Sequence, residues 1–320
     1  MLKMNVSVVI PAYNNQKTVH EVLDALLSQK YELGQVEVIA IDDCSKDNTR
    51  EVIKKFPVTY VLNQGNLGLA KSLNNGILLS KYDTVVTLHA DTIPANSSWL
   101  QQLVSPLKDS NVVATCSVQF SPNFDQRHKT IWEKMLYAKQ SAHLALNDKA
   151  DAYKKTVLKE IGMFDEKTFR TAGEDEDLAL RIRLQGKTIQ GTQAEVIHNH
   201  YFSSNGTNIL KKILKREYSF GMAGGALRRK FPFFKPRSYI LPGSTSPTND
   251  GLFRVALCLG SLIPYIQIAF IPLLFVAASN GITKLKKEKK LLILYPFFNI
   301  CRFATYTIGY LVGITKGKQV

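Results

Sequence analysis

The chain has 320 residues, a formal net charge of +15 and 45% hydrophobic residues, enough for one large α/β domain with an appendage. Of its 41 Lys+Arg and 26 Asp+Glu, residues 201–320 hold 18 and 3, which leaves 23 and 23 for residues 1–200. A neutral body with a basic, apolar tail argues against nucleic acid as partner and for a surface of anionic lipid.

The elements follow in chain order. "VSVVIPAYN" (Val6 to Asn14) is a short apolar, β-branched strand stopped by Pro11. "TVHEVLDALLSQ" carries Val19, Val22, Leu23, Leu26 and Leu27 at helical spacing. "VEVIAIDD" (Val36 to Asp43) is a second strand that ends in two aspartates, and Asp47 precedes a helix start at "NTREVIKKF". "VTYVLNQ" reads as a strand, "LAKSLNNGILLS" as a helix and "TVVTLHA" as a fourth strand. Strands alternate with helices and are continuously apolar, which predicts a mostly parallel sheet covered on both faces. Ligands bind such sheets beyond the carboxyl ends of the strands. Asn14, Asp42, Asp43 and Asp91 all fall there and should converge on one edge.

Further along, Ile131, Met135, Leu136 and Leu144 have the spacing of a core-facing helix, and "GSTSPTND" (Gly243 to Asp250) is a turn-rich linker. The expected division is a catalytic domain at 1–230, a basic and aromatic linker at 231–250, and a membrane-associated region at 251–320 with apolar segments 255–279 and 291–314. The first segment has no charged residue and is long enough to span a bilayer at about 20 residues per crossing. The second carries Arg302 and Pro296. A Lys-rich stretch, "KLKKEKK", lies between them. Two spans starting from a cytoplasmic body would put it outside, against the positive-inside tendency. Two membrane helices and two segments that re-enter or lie at the interface therefore both stay open.

Cys44, Cys116, Cys258 and Cys301 form no CxxC pair, which fits a reducing compartment, and no signal peptide is visible. The expectation is a membrane protein whose catalytic domain is cytoplasmic. No GxGxxG follows the first strand and no GxxxxGK[ST] occurs, so dinucleotide-fold and P-loop readings lose their main support.

Five motifs in order, "VSVVIPAYNN", "VIAIDDCSKDNT", "NLGLAKSLNNGI", "LHADTIP" and "AGEDEDLALRIRLQGKTI", resemble those of the inverting family 2 glycosyltransferases over roughly residues 5–230. The resemblance implies a GT-A fold, a nucleotide-diphosphate sugar donor and a divalent cation, Mg²⁺ or Mn²⁺. By resemblance "HAD" is the family's DxD element with His89 in the first position. Asp91 is then the retained metal ligand, and Ala90 is small enough for its backbone to approach the ribose. Asp42 and Asp43 resemble the pair that reads the base and the ribose. Pro11, Ala12, Tyr13 and Asn14 form the other wall of that pocket. Lys71 stands where relatives have Arg and reaches for a donor phosphate, or lies on a solvated helix face.

The chemistry suits these residue types. Negative charge builds on the departing diphosphate, and a cation held by carboxylate stabilises it. An inverting displacement needs a base opposite the leaving group. Glu174, Asp175, Glu176 and Asp177 would stabilise a helix start in any protein, and the match to the family's "ED" element selects Asp175 as base. Glu174 then orients acceptor or donor. "EVIHNHYFS" offers His198, or His200, as a further metal ligand.

The expected function is inverting transfer to a hydroxyl or lipid phosphate acceptor at the cytoplasmic face of a membrane, in glycan or lipid-linked oligosaccharide synthesis. A polyprenyl-phosphate sugar synthase and a non-catalytic sugar-nucleotide-binding protein are the alternatives. The expected partners are the nucleotide sugar, a glycan or lipid-linked acceptor and membrane lipids.

Overall fold

The computed structural model describes residues 3–120, 130–136, 143–144, 146–199, 207–232, 255–263, 267–279 and 289–316. Clustering of contacts divides the chain into two compact units. The first takes the described residues up to 120 and from 143 to 199, and the second takes 130–136 and everything from 207 onward.

The first unit alternates strand and helix as its sequence pattern requires. Its elements are β1 (Val6–Ala12), α1 (Val19–Leu27), β2 (Val36–Asp42), α2 (Thr49–Ile53), β3 (Thr59–Leu62), α3 (Leu69–Leu79), β4 (Thr84–Leu88), β5 (Thr92–Pro94) and α4 (Trp99–Val104). Strands β3-β2-β1-β4 are adjacent and parallel. Their residues are apolar on both sides because helices cover both faces. Val6, Val8 and Ile10 pack with α1 and α4 residues in one cluster, whereas Val9, Ile39 and Ile41 pack with α3 residues in another. Trp99 is fully buried, and its indole N–H donates to Ser117 Oγ at 2.9 Å.

The strand beginning at Val6 does not stop at Pro11. It runs on to Ala12, with Pro11 in register with Ile41 and Ala12 with Asp42. Pairing of β1 with β4 ends at Val9↔Thr87, so Pro11 falls where β1 has a ladder neighbour on one side only. A missing N–H is tolerated there.

Beyond β4 the sheet is mixed. It continues through β8 (Ala150–Lys154), β6 (Val112–Phe120), β9 (Thr188–His198) and back to β5, with the short β7 (His143–Leu144) on β6. β8 runs antiparallel to β4, and β5 runs antiparallel to β9. Because β8 is antiparallel, its N-terminal end lies at the C-terminal end of β4, with Ala150 opposite Leu88. Two helices complete the unit after α5 (Ile131–Leu136) of the second unit: α6 (Lys155–Glu160) and α7 (Glu174–Leu184).

The second unit contains α5, α8 (Thr207–Lys230), a helical stretch at 255–260, α9 (Gln267–Ala278) and α10 (Lys289–Thr315). The domain boundary expected after residue 230 thus falls earlier, and α8 belongs with the C-terminal helices. The reason is packing. A Cβ at Gly221 or Gly225 of α8 would run into the carbonyls of Tyr306 and Tyr310 on α10. Gly309 and Gly313 approach Tyr218 and Met222 of α8 equally closely. Met135 and Leu136 join Ile209, Ile213, Leu291, Tyr295 and Phe298 in a core, as expected, but Ile131 is exposed. Residues 233–250, most of the expected linker, lie outside the described residues.

Neither expected membrane helix is found among the described residues. Among the described residues no helix is long and apolar enough to cross a membrane. Segment 255–279 does not form one continuous helix: its second piece, α9, has 12 residues, or about 18 Å against a hydrocarbon core of about 30 Å. Helix α10 has the length, at 27 residues, but contains Pro296 and buries polar groups. Arg302 reaches Glu217 of α8 at 2.5 Å through Nη2 and 2.8 Å through Nε, and donates through Nη1 to Asn299 Oδ1 at 2.9 Å. Asn299 in turn donates to the carbonyl of Ala278 at 2.8 Å. These contacts give the one charge of the second apolar segment a protein partner.

Candidate active site

The candidate site is the C-terminal edge of the parallel strands. Backbone hydrogen bonds join the loops after β1 and β2. Asn14 N–H donates to Ser45 Oγ at 3.0 Å, Lys46 N–H to Asn14 Oδ1 at 2.8 Å and Asn15 N–H to Thr49 Oγ1 at 2.7 Å. Asn14 has φ +56° and Cys44 φ +63°. Asn tolerates that left-handed region better than most residues, and such conformations cluster at ligand sites. Pro11 and Ala12 are buried at the floor of this wall, and Tyr13 is exposed.

Asp42 and Asp43 have work to do in their own loops. Asp42 is fully buried, accepts Ser45 N–H at 2.8 Å and accepts the Tyr60 hydroxyl at 2.8 Å. Asp43 accepts Leu67 N–H at 2.8 Å, Gly68 N–H at 2.9 Å and Asn63 Nδ2 at 2.8 Å. A carboxylate has about four lone-pair sites, so a ligand meets these two residues only through what their loops leave. Lys71 is likewise engaged. Its Nζ lies 2.6 Å from Glu166 Oε1, and Asn74 Nδ2 donates to Glu166 Oε2 at 2.8 Å. Lys71 is thus paired with a carboxylate on a partly exposed helix face.

Asp91 and His198 come together. The strand pair β5–β9 sets Thr92 opposite His198, and Asn199 N–H donates to the Asp91 carbonyl at 2.6 Å. Asp91 Oδ2 then lies 3.4 Å from His198 Nε2. Two donors each about 2.1 Å from one ion stand roughly 3.0–3.4 Å apart, so this oxygen–nitrogen pair fits a divalent cation. Among the described residues no group of three such side chains gathers. An ion that keeps substrate phosphate oxygens and water as its remaining ligands needs no third. Ala90, 2% exposed, has its carbonyl held by the Thr18 hydroxyl at 2.6 Å. His200 lies outside the described residues.

His89 faces inward, with Nε2 3.2 Å from Asp148 Oδ1. Burial, aided by Lys149, pushes the imidazole down to about 4, so it is neutral near pH 7. Burial pushes the Asp148 carboxyl up to about 8, against the pull of Lys149. His89 Nε2 and Asp148 Oδ2 are both buried without a hydrogen-bond partner among the described residues, so the two side chains are in contact but not bonded. Asp148 is 1% exposed and sits at φ +56°. Glu174 is 3% exposed, and burial, then Asp148 and Asp175, raise it well above the carboxylate range. Glu174, expected to orient acceptor or donor, lies beside Asp148, and its Oε2 is buried without a hydrogen-bond partner among the described residues.

Asp175 remains open. Gly173, at φ +88°, turns the chain into α7. Asp175 Oδ1 accepts Glu176 N–H at 2.8 Å, which engages one of its two oxygens. Asp177 anchors the helix through Arg181, at 2.7 Å, whose guanidinium also holds the carbonyls of Ile161 and Met163. The sequence reading missed Asp148 and Lys149. "NDKADAY" carries no pattern that separates a site loop from a strand entrance, and only the antiparallel pairing with β4 puts it beside His89.

A mixed α/β sheet of this order, with carboxylates and a histidine gathered at its strand ends, has a GT-A-like fold. Residues 7–159 match the family described as Glycosyl transferase family 2. It is 30% identical over 112 residues to "Glycosyltransferase AglE" of Haloferax volcanii, covering 33% of this chain and 36% of that protein. It is 39% identical over 92 residues to a poly-beta-1,6-N-acetyl-D-glucosamine synthase of Staphylococcus aureus, covering 28% and 22%. The matches therefore span about a third or less of these curated relatives. Among solved structures, a mannosyltransferase of Pyrobaculum calidifontis in complex with GDP-Man and Mn²⁺ has a TM-score of 0.61 at 18% identity, covering 100% of this chain and 89% of that one. A glucosyl-3-phosphoglycerate synthase of Mycobacterium tuberculosis has a TM-score of 0.52 at 17% identity, covering 72% and 81%. At those identities the likeness is one of fold.

Proposed function

We propose that the chain transfers a sugar, with inversion, from a nucleotide-diphosphate donor to a hydroxyl or lipid phosphate acceptor. The observation that carries this reading is the gathering of Asp91 with His198, 3.4 Å apart, with Asp175 at the start of α7 within the electrostatic surroundings of the neighbouring His89. Asp91 and His198 would hold a divalent cation, whose charge stabilises the departing diphosphate. Asp175 takes the acceptor proton on Oδ2, the oxygen that Glu176 N–H leaves open. The loops after β1 and β2 receive the nucleoside, with Tyr13 exposed for stacking on the base. Purified full-length protein should hydrolyse or transfer from at least one member of a panel of nucleotide sugars with Mg²⁺ or Mn²⁺. Failure across the panel, with folded protein, refutes the reading.

The site works at the cytoplasmic face of a membrane, with the second unit lying on the surface. Two features support this. Phe275 of α9 and Phe297 of α10 are 44% and 57% exposed, with ring centroids 5.9 Å apart, and Val276 and Ile293 extend the apolar surface at 69% and 72%. Residues 201–320 carry 18 Lys+Arg against 3 Asp+Glu, which suits anionic headgroups. Full-length protein should co-sediment with vesicles containing anionic lipid and release at high salt. Protein that stays in the supernatant with every vesicle overturns the surface placement.

A further inference from the structure

The donor site as read from the motifs has a charge problem. Its expected phosphate-binding lysine, Lys71, lies 2.6 Å from Glu166 Oε1 and is already paired. A diphosphate entering beside Asp91 would meet carboxylates with less cationic help than the family pattern supplies. One cation of the described site has no carboxylate as a direct partner. Lys149 enters β8 directly across from His89, and its carbonyl accepts His89 N–H at 2.9 Å. Its own N–H donates to Asn147 Oδ1 at 3.2 Å, and its Nζ donates to the Asn147 carbonyl at 3.3 Å. The ammonium lies within the electrostatic reach of Asp148, Asp175, Glu174 and Asp91, that is, of both the metal-ligand and the base positions. Burial alone would lower it, and those carboxylates outweigh burial and keep it charged.

We infer that Lys149 is a phosphate-contacting residue of the active site, whose ammonium meets non-bridging phosphate oxygens beside Asp91. This rests on the transferase reading above and deepens it. The loop geometry suits the task. Asp148 at φ +56° turns the chain so that residue 149 follows a buried, hydrogen-bonded corner, with Asp151 Oδ2 accepting the N–H groups of Asn147 and Asp148 at 2.6 Å each. The backbone that carries Lys149 is therefore fixed on both sides, by β4 and by Asp151. A long, flexible stem on a fixed backbone can leave the Asn147 carbonyl, a neutral partner, for a phosphate at little cost. The phosphate could belong to the donor diphosphate or to a lipid phosphate acceptor, since both would present the same oxygens near Asp91 and Asp175.

The test uses full-length wild type, Lys149→Ala and Lys149→Arg, titrated with UDP, GDP, uridine and guanosine in Mn²⁺ and in EDTA, and with a short-chain polyprenyl monophosphate. If the phosphate is the donor's, Lys149→Ala weakens the preferred nucleoside diphosphate by about tenfold or more, as loss of one charge-assisted hydrogen bond does. Nucleoside binding stays unchanged, and Lys149→Arg recovers most of the loss. If it is the acceptor's, the same pattern falls on the polyprenyl monophosphate and spares the diphosphate. Either result supports the inference. It is overturned if Lys149→Ala binds all phosphates like wild type, if nucleoside and diphosphate lose affinity alike, or if Lys149→Arg is as impaired as Lys149→Ala. A wild type that binds neither diphosphate in any condition refutes the donor reading itself, and that result is visible without the variants.

Discussion

Asp91 Oδ2 and His198 Nε2 lie 3.4 Å apart although their positions in the chain are far separated. Antiparallel pairing of the three-residue β5 with the end of β9 makes the contact, because it sets Thr92 against His198. The strand pair thus brings a carboxylate and an imidazole together beside the HAD sequence.

Metal removal and ligand truncation should therefore act alike. EDTA is expected to abolish turnover. Asp91→Ala and His198→Ala are each expected to raise the Mn²⁺ concentration needed for half-maximal activity, with Asp91→Ala the more severe because it also removes the charge. The check is a Mn²⁺ titration of activity for the three proteins. Turnover in EDTA equal to that in Mn²⁺ would refute the site.

Asp175→Asn is isosteric and keeps an acceptor for Glu176 N–H, so α7 should start as before. Loss of a general base costs roughly 10²–10⁴ in rate. The expected outcome is a fall in kcat of that order with nucleoside diphosphate affinity within a few-fold of wild type. Steady-state kinetics alongside a binding titration separates the two, and an unimpaired kcat would remove Asp175 from the mechanism.

Asp148 makes stability depend on pH. Its folded-state value, pushed up to about 8 by burial, lies above the ordinary value of about 3.9. The folded protein therefore holds this proton after the unfolded chain has released it. The stabilising contribution is complete below about pH 4 and is lost as pH rises to about 8, with a slope approaching 1.4 kcal/mol per pH unit for this one group. Asp148→Asn keeps the shape but cannot ionise. It should gain on wild type steadily between pH 5 and 8, measured as the difference in urea midpoint. Parallel pH profiles would contradict the burial of an ionisable Asp148.

In the second unit, Arg302 and Glu217 form a pair in which Glu217 is 2% exposed. Arg302→Met alone leaves a buried carboxylate without its main counter-charge and should cost about 3–5 kcal/mol. The double variant Arg302→Met with Glu217→Leu should recover much of that loss, because the desolvation penalty goes with both charges. Thermal unfolding of the three proteins gives the comparison. A double variant no better than the single one would show that the pair contributes more than it costs to bury.

The sequence by itself determined the parallel half of the sheet, because continuous apolar strands alternating with amphipathic helices have few other ways to bury both faces. It also placed Asp42, Asp43, Asp91 and Asp175 at the ends of their elements, since strand ends and helix starts are set by local pattern and capping. What it could not decide depends on pairings between distant segments. Hydrogen bonding of β8 to β4 brings Asp148 and Lys149 against His89. The short β5–β9 pairing brings His198 to Asp91. The apolar tail followed the same rule: hydropathy along the chain suggested spanning helices, whereas the partner that Glu217 offers Arg302, and the close approach of α8 to α10 at their glycines, exist only once the helices are packed. Local sequence sets which side chains are available at an element's end. Tertiary pairing sets which of them share a site, because that depends on register between segments whose contact no local interaction specifies.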